Sequence, residues 1–250
     1  MKTIGLLGGM SWESTALYYQ QINKMVHGKL GKLHSAKVII NSVDFEEIAA
    51  LQAKGLWQEA GAYLAEQALN LEKAGADCIL VCTNTMHKIA PQIEDAITVP
   101  FIHIADATAK EIVSQNIGKV ALLGTAFTME QDFYKAQLQE HGIDVMIPTE
   151  ADRKIVHRII YEELCLGVIN PDSQQKYMAI VERLIAEGAE GIILGCTEIC
   201  MLIGELKFSV PLFDTTTIHA KEAVSFSLNE NKNSNSANLH RSAAIAGSIL

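Results

Sequence analysis

Gly75-Ala76-Asp77-Cys78-Ile79-Leu80-Val81-Cys82-Thr83-Asn84-Thr85-Met86-His87 is answered 113 residues later (188 − 75) by Gly188-Ala189-Glu190-Gly191-Ile192-Ile193-Leu194-Gly195-Cys196-Thr197-Glu198. Each copy passes from a Gly-Ala-acid turn through a short apolar run, which reads as a buried strand, to Cys-Thr where the run stops. Cys82 and Cys196 lie 114 residues apart (196 − 82) and read as equivalent points of two equivalent units. Two further landmarks repeat: Leu6-Leu7-Gly8 in Leu122-Leu123-Gly124, offset 116 (122 − 6), and Val99-Pro100 in Val210-Pro211, offset 111 (210 − 99). Self-similarity at a near-constant offset marks repeated supersecondary units.

Strands are predicted at 2–7, 37–41, 78–81 and, briefly, 98–103, with a helix to about residue 27 after the Gly8-Gly9 loop and another over 56–73 that Gly75 stops. A second set follows: strands at 119–123, 143–147, 191–194 and 210–214, and helices over 129–140, 152–166 and from Asn170-Pro171-Asp172 to 187, with Asp172 or Ser173 as N-cap. The alternation predicts an α/β fold of two similar lobes, each a parallel sheet flanked by helices, related by a pseudo-two-fold with the active site between them. Residues 1–104 form the first lobe, completed by a C-terminal helix at about 215–228, and residues 105–214 form the second. The Asn- and Ser-rich stretch 229–250 reads as a low-complexity tail outside the chemistry.

With 49% hydrophobic residues in 250, the chain can fill a core, while a net charge of −9 without a Lys/Arg stripe argues against nucleic acid. No run approaches the roughly 18 apolar residues that span a bilayer, and the start is too short for a signal sequence, so a soluble cytoplasmic protein is expected. Five cysteines then read as reduced thiols. Neither G-x-G-x-x-G nor a phosphate-binding loop occurs, and the Cys/His spacings are not those of structural zinc, so neither cofactor nor metal is expected.

The carboxyl ends of parallel strands face the ligand crevice, and a helix start there lowers a thiol below its usual pKa of about 8.5. Cys82 and Cys196 at such ends predict a small substrate held between two reactive thiols, with His87 and Glu198 close enough to tune them. Cys78, Cys165 and Cys200 are assigned to the core, inside an apolar run or on predicted helices.

Gly8-Gly9-Met10-Ser11-Trp12-Glu13-Ser14-Thr15, Cys82-Thr83-Asn84-Thr85-Met86-His87 and Gly195-Cys196-Thr197-Glu198 resemble the motifs of the aspartate/glutamate racemases, over residues 1 to about 228. The resemblance implies a cofactor-independent amino-acid racemase and a homodimer, with Cys82 and Cys196 working on opposite faces of the α-carbon. It implies that Asn84 and Thr85 hold the substrate carboxylate, that Thr197 assists, and that Met10, Ser11, Gln52 and Thr125 line the same cleft. Thr83 and Glu198, beside the cysteines, complete the implied substrate-binding set. Where some members carry basic residues to pair with a side-chain carboxylate, this chain has Ile48-Ala49-Ala50 and Cys165-Leu166, leaving Arg153, Lys154 and Arg158 as candidate cations. Aspartate or glutamate is the implied substrate, with broader amino-acid specificity, or maleate isomerase or arylmalonate decarboxylase chemistry, as alternatives.

Overall fold

A computed structural model of the chain describes residues 1–204 and 206–229, so all but the first residue of the predicted tail lies outside the described residues. Strands β1 (Ile4–Gly8), β2 (Val38–Ser42) and β3 (Cys78–Val81) form one parallel sheet in the order β2-β1-β3. Strands β4 (Lys119–Gly124), β5 (Asp144–Met146), β6 (Gly191–Gly195) and β7 (Leu212–Asp214) form a second in the order β5-β4-β6-β7. Helices α1 (Trp12–Leu30), α2 (Phe45–Ala53), α3 (Trp57–Lys73) and α4 (Ala90–Ala96) belong to the first sheet, and α5 (Ile104–Ser114) leads from one sheet to the other. With the second go α6 (Ala126–Glu130), α7 (Asp132–Glu140), α8 (Glu150–Glu162), α9 (Pro171–Ala186) and α10 (Ile199–Ile203). After β7 the chain returns as α11 (Thr215–Ser227), which packs on α1 and α5. Among the described residues no helix is long and apolar enough to cross a membrane.

Four predicted elements change form. The strand at 98–103 shrinks to one bridge between Ile79 and Phe101, because Pro100 has no N–H and His103 already caps α5 by accepting from Ala105 N–H. The helix at 129–140 begins three residues earlier under a Thr125 cap and breaks at Gln131, whose ψ of 154° is extended. The helix at 152–166 starts at Glu150 under a Thr149 cap and ends at Glu162, followed by a 3-10 turn, Leu164–Leu166. Asn170, rather than Asp172 or Ser173, caps α9, with Pro171 in the first turn where a missing N–H costs nothing.

The Gly-Ala-acid turns act identically in both copies. Gly75 (φ 98°) and Gly188 (φ 99°) end α3 and α9 in a conformation that disfavours a side chain, and Ala76 and Ala189 N–H donate back to Leu71 and Leu184 carbonyls. Asp77 Oδ2 then accepts from Thr3 N–H at 2.6 Å, and Glu190 Oε2 from Gly118 and Lys119 N–H at 2.9 and 3.1 Å. The acid therefore ties the entry of one central strand to its neighbour.

Alternation sorts strand residues onto two faces. Ile4, Leu6, Cys78, Leu80 and Cys82 pack with Tyr18 and Ile22 of α1 and Ala220 and Val224 of α11. Leu7, Ile79 and Val81 face the other way, toward Leu64, Ala68 and Leu71 of α3. Close packing also fixes Gly191 in β6, where a Cβ would lie 2.6 Å from the Phe213 ring. Gly191→Ala is predicted to cost about 1–3 kcal/mol, read as a lower urea midpoint; Phe213→Leu in the same chain should restore part of it, and an unchanged midpoint for Gly191→Ala would contradict the packing.

Candidate active site

Strand register decides which residues face each other. Leu7 pairs with Val81 in the first sheet and its counterpart Leu123 pairs with Leu194 in the second. Ile79 N–H donates to Pro100 O and Ile192 N–H to Pro211 O, each at 3.0 Å. Both pairs give an offset of 113 (194 − 81 and 192 − 79), so the counterpart of Cys196 is Thr83, and that of Cys82 is Gly195. The expected pairing of Cys82 with Cys196 is thus one residue out of register, and in a strand one residue exchanges the faces. Cys82 is 1% exposed, points into the core shared with α1 and α11, and does not line the cleft.

The cleft between the lobes spans about 480 Å3 of space, part of it open to solvent. The first lobe contributes Met10, Ser11, Gln52, Thr83, Asn84 and Thr85, and the second contributes Thr125, Cys196, Thr197 and Glu198. Apart from Cys82, every residue assigned to the site by sequence is therefore brought together. Phe45, Ile160, Tyr161 and Cys165 join them without having been singled out as cleft residues; Cys165, expected in the core, instead half-faces the cleft from the 3-10 turn after α8. That turn ends the helix four residues early (166 − 162) and swings its thiol outward, which hydrophobic periodicity does not report.

Polar contacts join the lobes across the cleft. Cys196 Sγ donates to Glu198 Oε2 at 3.0 Å, and Ser11 Oγ of the first lobe donates to Glu198 Oε1 at 3.0 Å. Ser14 Oγ donates to Cys82 O at 2.7 Å, so the Thr197 hydroxyl, 2.8 Å away, is the donor in their contact. Thr85 and Thr125 hydroxyls meet at 3.1 Å. Asn84 Nδ2 donates to Thr215 Oγ1 at 3.1 Å while Thr215 donates to Leu194 O at 2.9 Å; the single hydroxyl proton fixes the amide orientation and leaves Asn84 Oδ1 buried without a partner. His87 lies outside the cleft lining, with Nδ1 bonded to Thr83 O at 2.8 Å and Nε2 accepting from Ile104 N–H at 3.2 Å.

The family model for Asp/Glu/Hydantoin racemase matches residues 7–223. The chain belongs to this family. A protein from Yersinia pestis, solved as a proposed Asp/Glu racemase, is 55% identical with a TM-score of 0.87, covering 91% of this chain and 100% of that one. An aspartate racemase homologue from Pyrococcus horikoshii OT3 is 35% identical with a TM-score of 0.80, covering 91% and 99%. The broad specificity amino-acid racemase RacX of Bacillus subtilis (strain 168) is 25% identical over 233 residues, 89% of this chain and 96% of that protein.

Two expectations from the sequence change in the structure. The thiols are not pushed toward thiolate: burial raises Cys82, and burial followed by the Glu198 carboxylate raises Cys196 well above the usual thiol value. The cause is local, since the elements after β3 and β6 are a 3-10 turn, Thr85–Ile89, and the five-residue α10 rather than long helices aimed at the thiols. The candidate cations also stay away. Arg153 binds Glu130 and Pro148 O, Lys154 binds Glu150, Arg158 binds Glu162 and Glu163, and among the described residues no Lys, Arg or His lines the cleft.

Proposed function

We propose that this racemase-family enzyme inverts the α-carbon of an amino acid held between Cys196 and Thr83 without a cofactor. One observation carries the reading: a thiol hydrogen-bonded to a carboxylate stands on one wall, and the register-equivalent hydroxyl stands on the wall supplied by the other sheet. Inversion through a planar carbanion needs a base on one face and a proton donor on the other. Cys196 passes its proton to Glu198, and the thiolate removes the α-proton. Thr83 gives its hydroxyl proton to the opposite face and recovers one through water, and Glu198 releases to water the proton it took, so that both walls return to their starting state. Charge moving onto the substrate carboxylate is met by donors in place beforehand, the Thr85 and Thr125 hydroxyls. Asn84, first assigned to the carboxylate, presents a free acceptor and so suits the substrate ammonium.

The test is a panel of L- and D-amino acids in deuterated water, followed by NMR for α-deuterium and by chiral chromatography. Exchange of at least one amino acid, with slower appearance of its mirror image, is the expected result. A cleft with Cys196 as its well-placed thiol also suits protonation of a carbanion left by decarboxylation, so a 2-substituted malonate belongs in the panel. Carbon dioxide release from it, with no α-exchange of any amino acid, would replace the racemase reading.

A further inference from the structure

The residues that line the cleft divide by chemistry. Ser11, Thr83, Asn84, Thr85, Thr125 and Thr197 present hydroxyls and an amide, whereas Phe45, Ile160, Tyr161 and Cys165 form a wall without a role in the chemistry proposed above. The wall grows out of both cores. Ile160, 1% exposed, belongs to the cluster around β4 and β6, on which Tyr161, Cys165 and Cys196 pack, and Phe45 packs on the core of the first sheet. It stands where the cleft opens, because Phe45 and Cys165 also line a surface groove that Thr83, Asn84, Thr85 and Thr125 do not reach. Burial pushes the Tyr161 hydroxyl and the Cys165 thiol up to about 12, so both are neutral. His157 lies against Tyr161 with ring centroids 4.7 Å apart, accepts Ala126 N–H at Nδ1 at 3.1 Å, and is held below 6.5 by burial. Among the described residues the single acid of the cleft lining is Glu198, whose oxygens already accept from Cys196 and Ser11, and the lining holds no Lys, Arg or His.

We propose that the wall of Phe45, Ile160, Tyr161 and Cys165 receives the substrate side chain and selects an uncharged, aliphatic one. The assignment rests on the amino-acid reading of the cleft. A side-chain carboxylate would leave water for a phenyl ring, an isoleucine and a thiol, with Glu198, an acid like itself, as the ionisable group at hand. Burying a charge without an opposite partner costs more than the surrounding apolar contact returns. A side-chain ammonium loses its hydration at the same wall and finds both Glu198 oxygens engaged. A methylene chain loses no hydration of value there and gains in proportion to the apolar area it covers.

Norleucine, alanine, lysine, glutamate and glutamate γ-methyl ester separate the possibilities, because the ester keeps the glutamate skeleton without its side-chain charge. Calorimetric affinity and α-deuterium exchange are measured for each with the parent chain and with Tyr161→Ala, which shortens the wall at a half-buried position. In the parent, norleucine should bind roughly tenfold or more tighter than alanine, glutamate or lysine, and the ester should recover most of what glutamate loses. Tyr161→Ala should cut the advantage of norleucine over alanine by roughly threefold or more and leave glutamate as weak as before. Glutamate or lysine binding as well as norleucine, an ester no better than glutamate, an unchanged norleucine-to-alanine ratio in a folded Tyr161→Ala, or no binding by any of the five overturns the proposal. Should that variant fail to fold, the five ligands on the parent chain decide alone. Binding in the expected order with no α-exchange of any amino acid would keep the wall and remove the racemase reading. Exchange fastest with glutamate would do the reverse.

Discussion

Cys196→Ala should stop α-deuterium exchange and inversion together, by roughly 10²–10⁴-fold, while Cys82→Ala leaves both near the parental rate. The asymmetry follows from register: Cys196 lines the cleft in contact with Glu198, and Cys82 is sealed in the core with Tyr18 and Leu80. Thr83→Ala should separate the two reactions, keeping exchange at the face Cys196 serves and losing inversion. Thr83→Cys should raise inversion, because a thiol gives and takes protons near neutral pH far more readily than a hydroxyl. Free enantiomers have equal energy, so kcat/KM is the same in both directions, and a slow Thr83 step limits both equally. Exchange in the parent should therefore outrun inversion for one enantiomer. The checks are exchange followed by chiral analysis for all four variants; loss of inversion in Cys82→Ala, with its fold intact by circular dichroism, would restore the two-cysteine pairing.

The second large effect is acid lability centred on buried imidazoles. His219 is fully buried, its Nδ1 accepting from Tyr18 OH at 2.8 Å and its Nε2 donating to Ile102 O at 2.6 Å, and burial lowers its pKa to about 3. Burial likewise holds His87 well below 6.5, and its ring lies 4.6 Å from His103 and 5.7 Å from His219. A depressed histidine pKa means the unfolded chain binds the proton first. Stability is then complete above about pH 6.5 and declines as pH falls toward the folded value. Between pH 6 and pH 4 His219 alone should remove roughly 2–3 kcal/mol, a drop on the order of 5–10 °C in Tm for a chain of this size. His87 acts in the same direction and, through Thr83 O, ties this loss to the cleft wall. Thermal unfolding of the parent and of His219→Gln at the two pH values gives the answer: the variant should show a visibly shallower acid dependence, and an identical one would remove His219 as its source.

Much of the architecture was written in particular residues. The two Gly-Ala-acid turns, the apolar runs after them and the paired Val-Pro specify local conformation and burial, which neighbouring residues largely decide, and so they announced two parallel α/β units and a cleft. The resemblance to the racemase family, rather than these landmarks, named nearly the whole cleft, Met10 and Ser11, Gln52, Thr83 to Thr85, Thr125, and Cys196 to Glu198. Which residue of Cys82-Thr83 faces that cleft was beyond the motif, since the repeat drifts from 116 to 111 residues and a single residue of drift exchanges the faces of a strand. Only the pairing of Leu7 with Val81 and of Leu123 with Leu194 fixed it. Tertiary structure likewise turned Cys165 into the cleft, held Arg153 and Arg158 out of it, and kept the Cys196 thiol protonated beside Glu198. Those outcomes depend on burial and on partners distant in sequence, such as Ser11 reaching Glu198 from 187 residues away, and no local pattern encodes them.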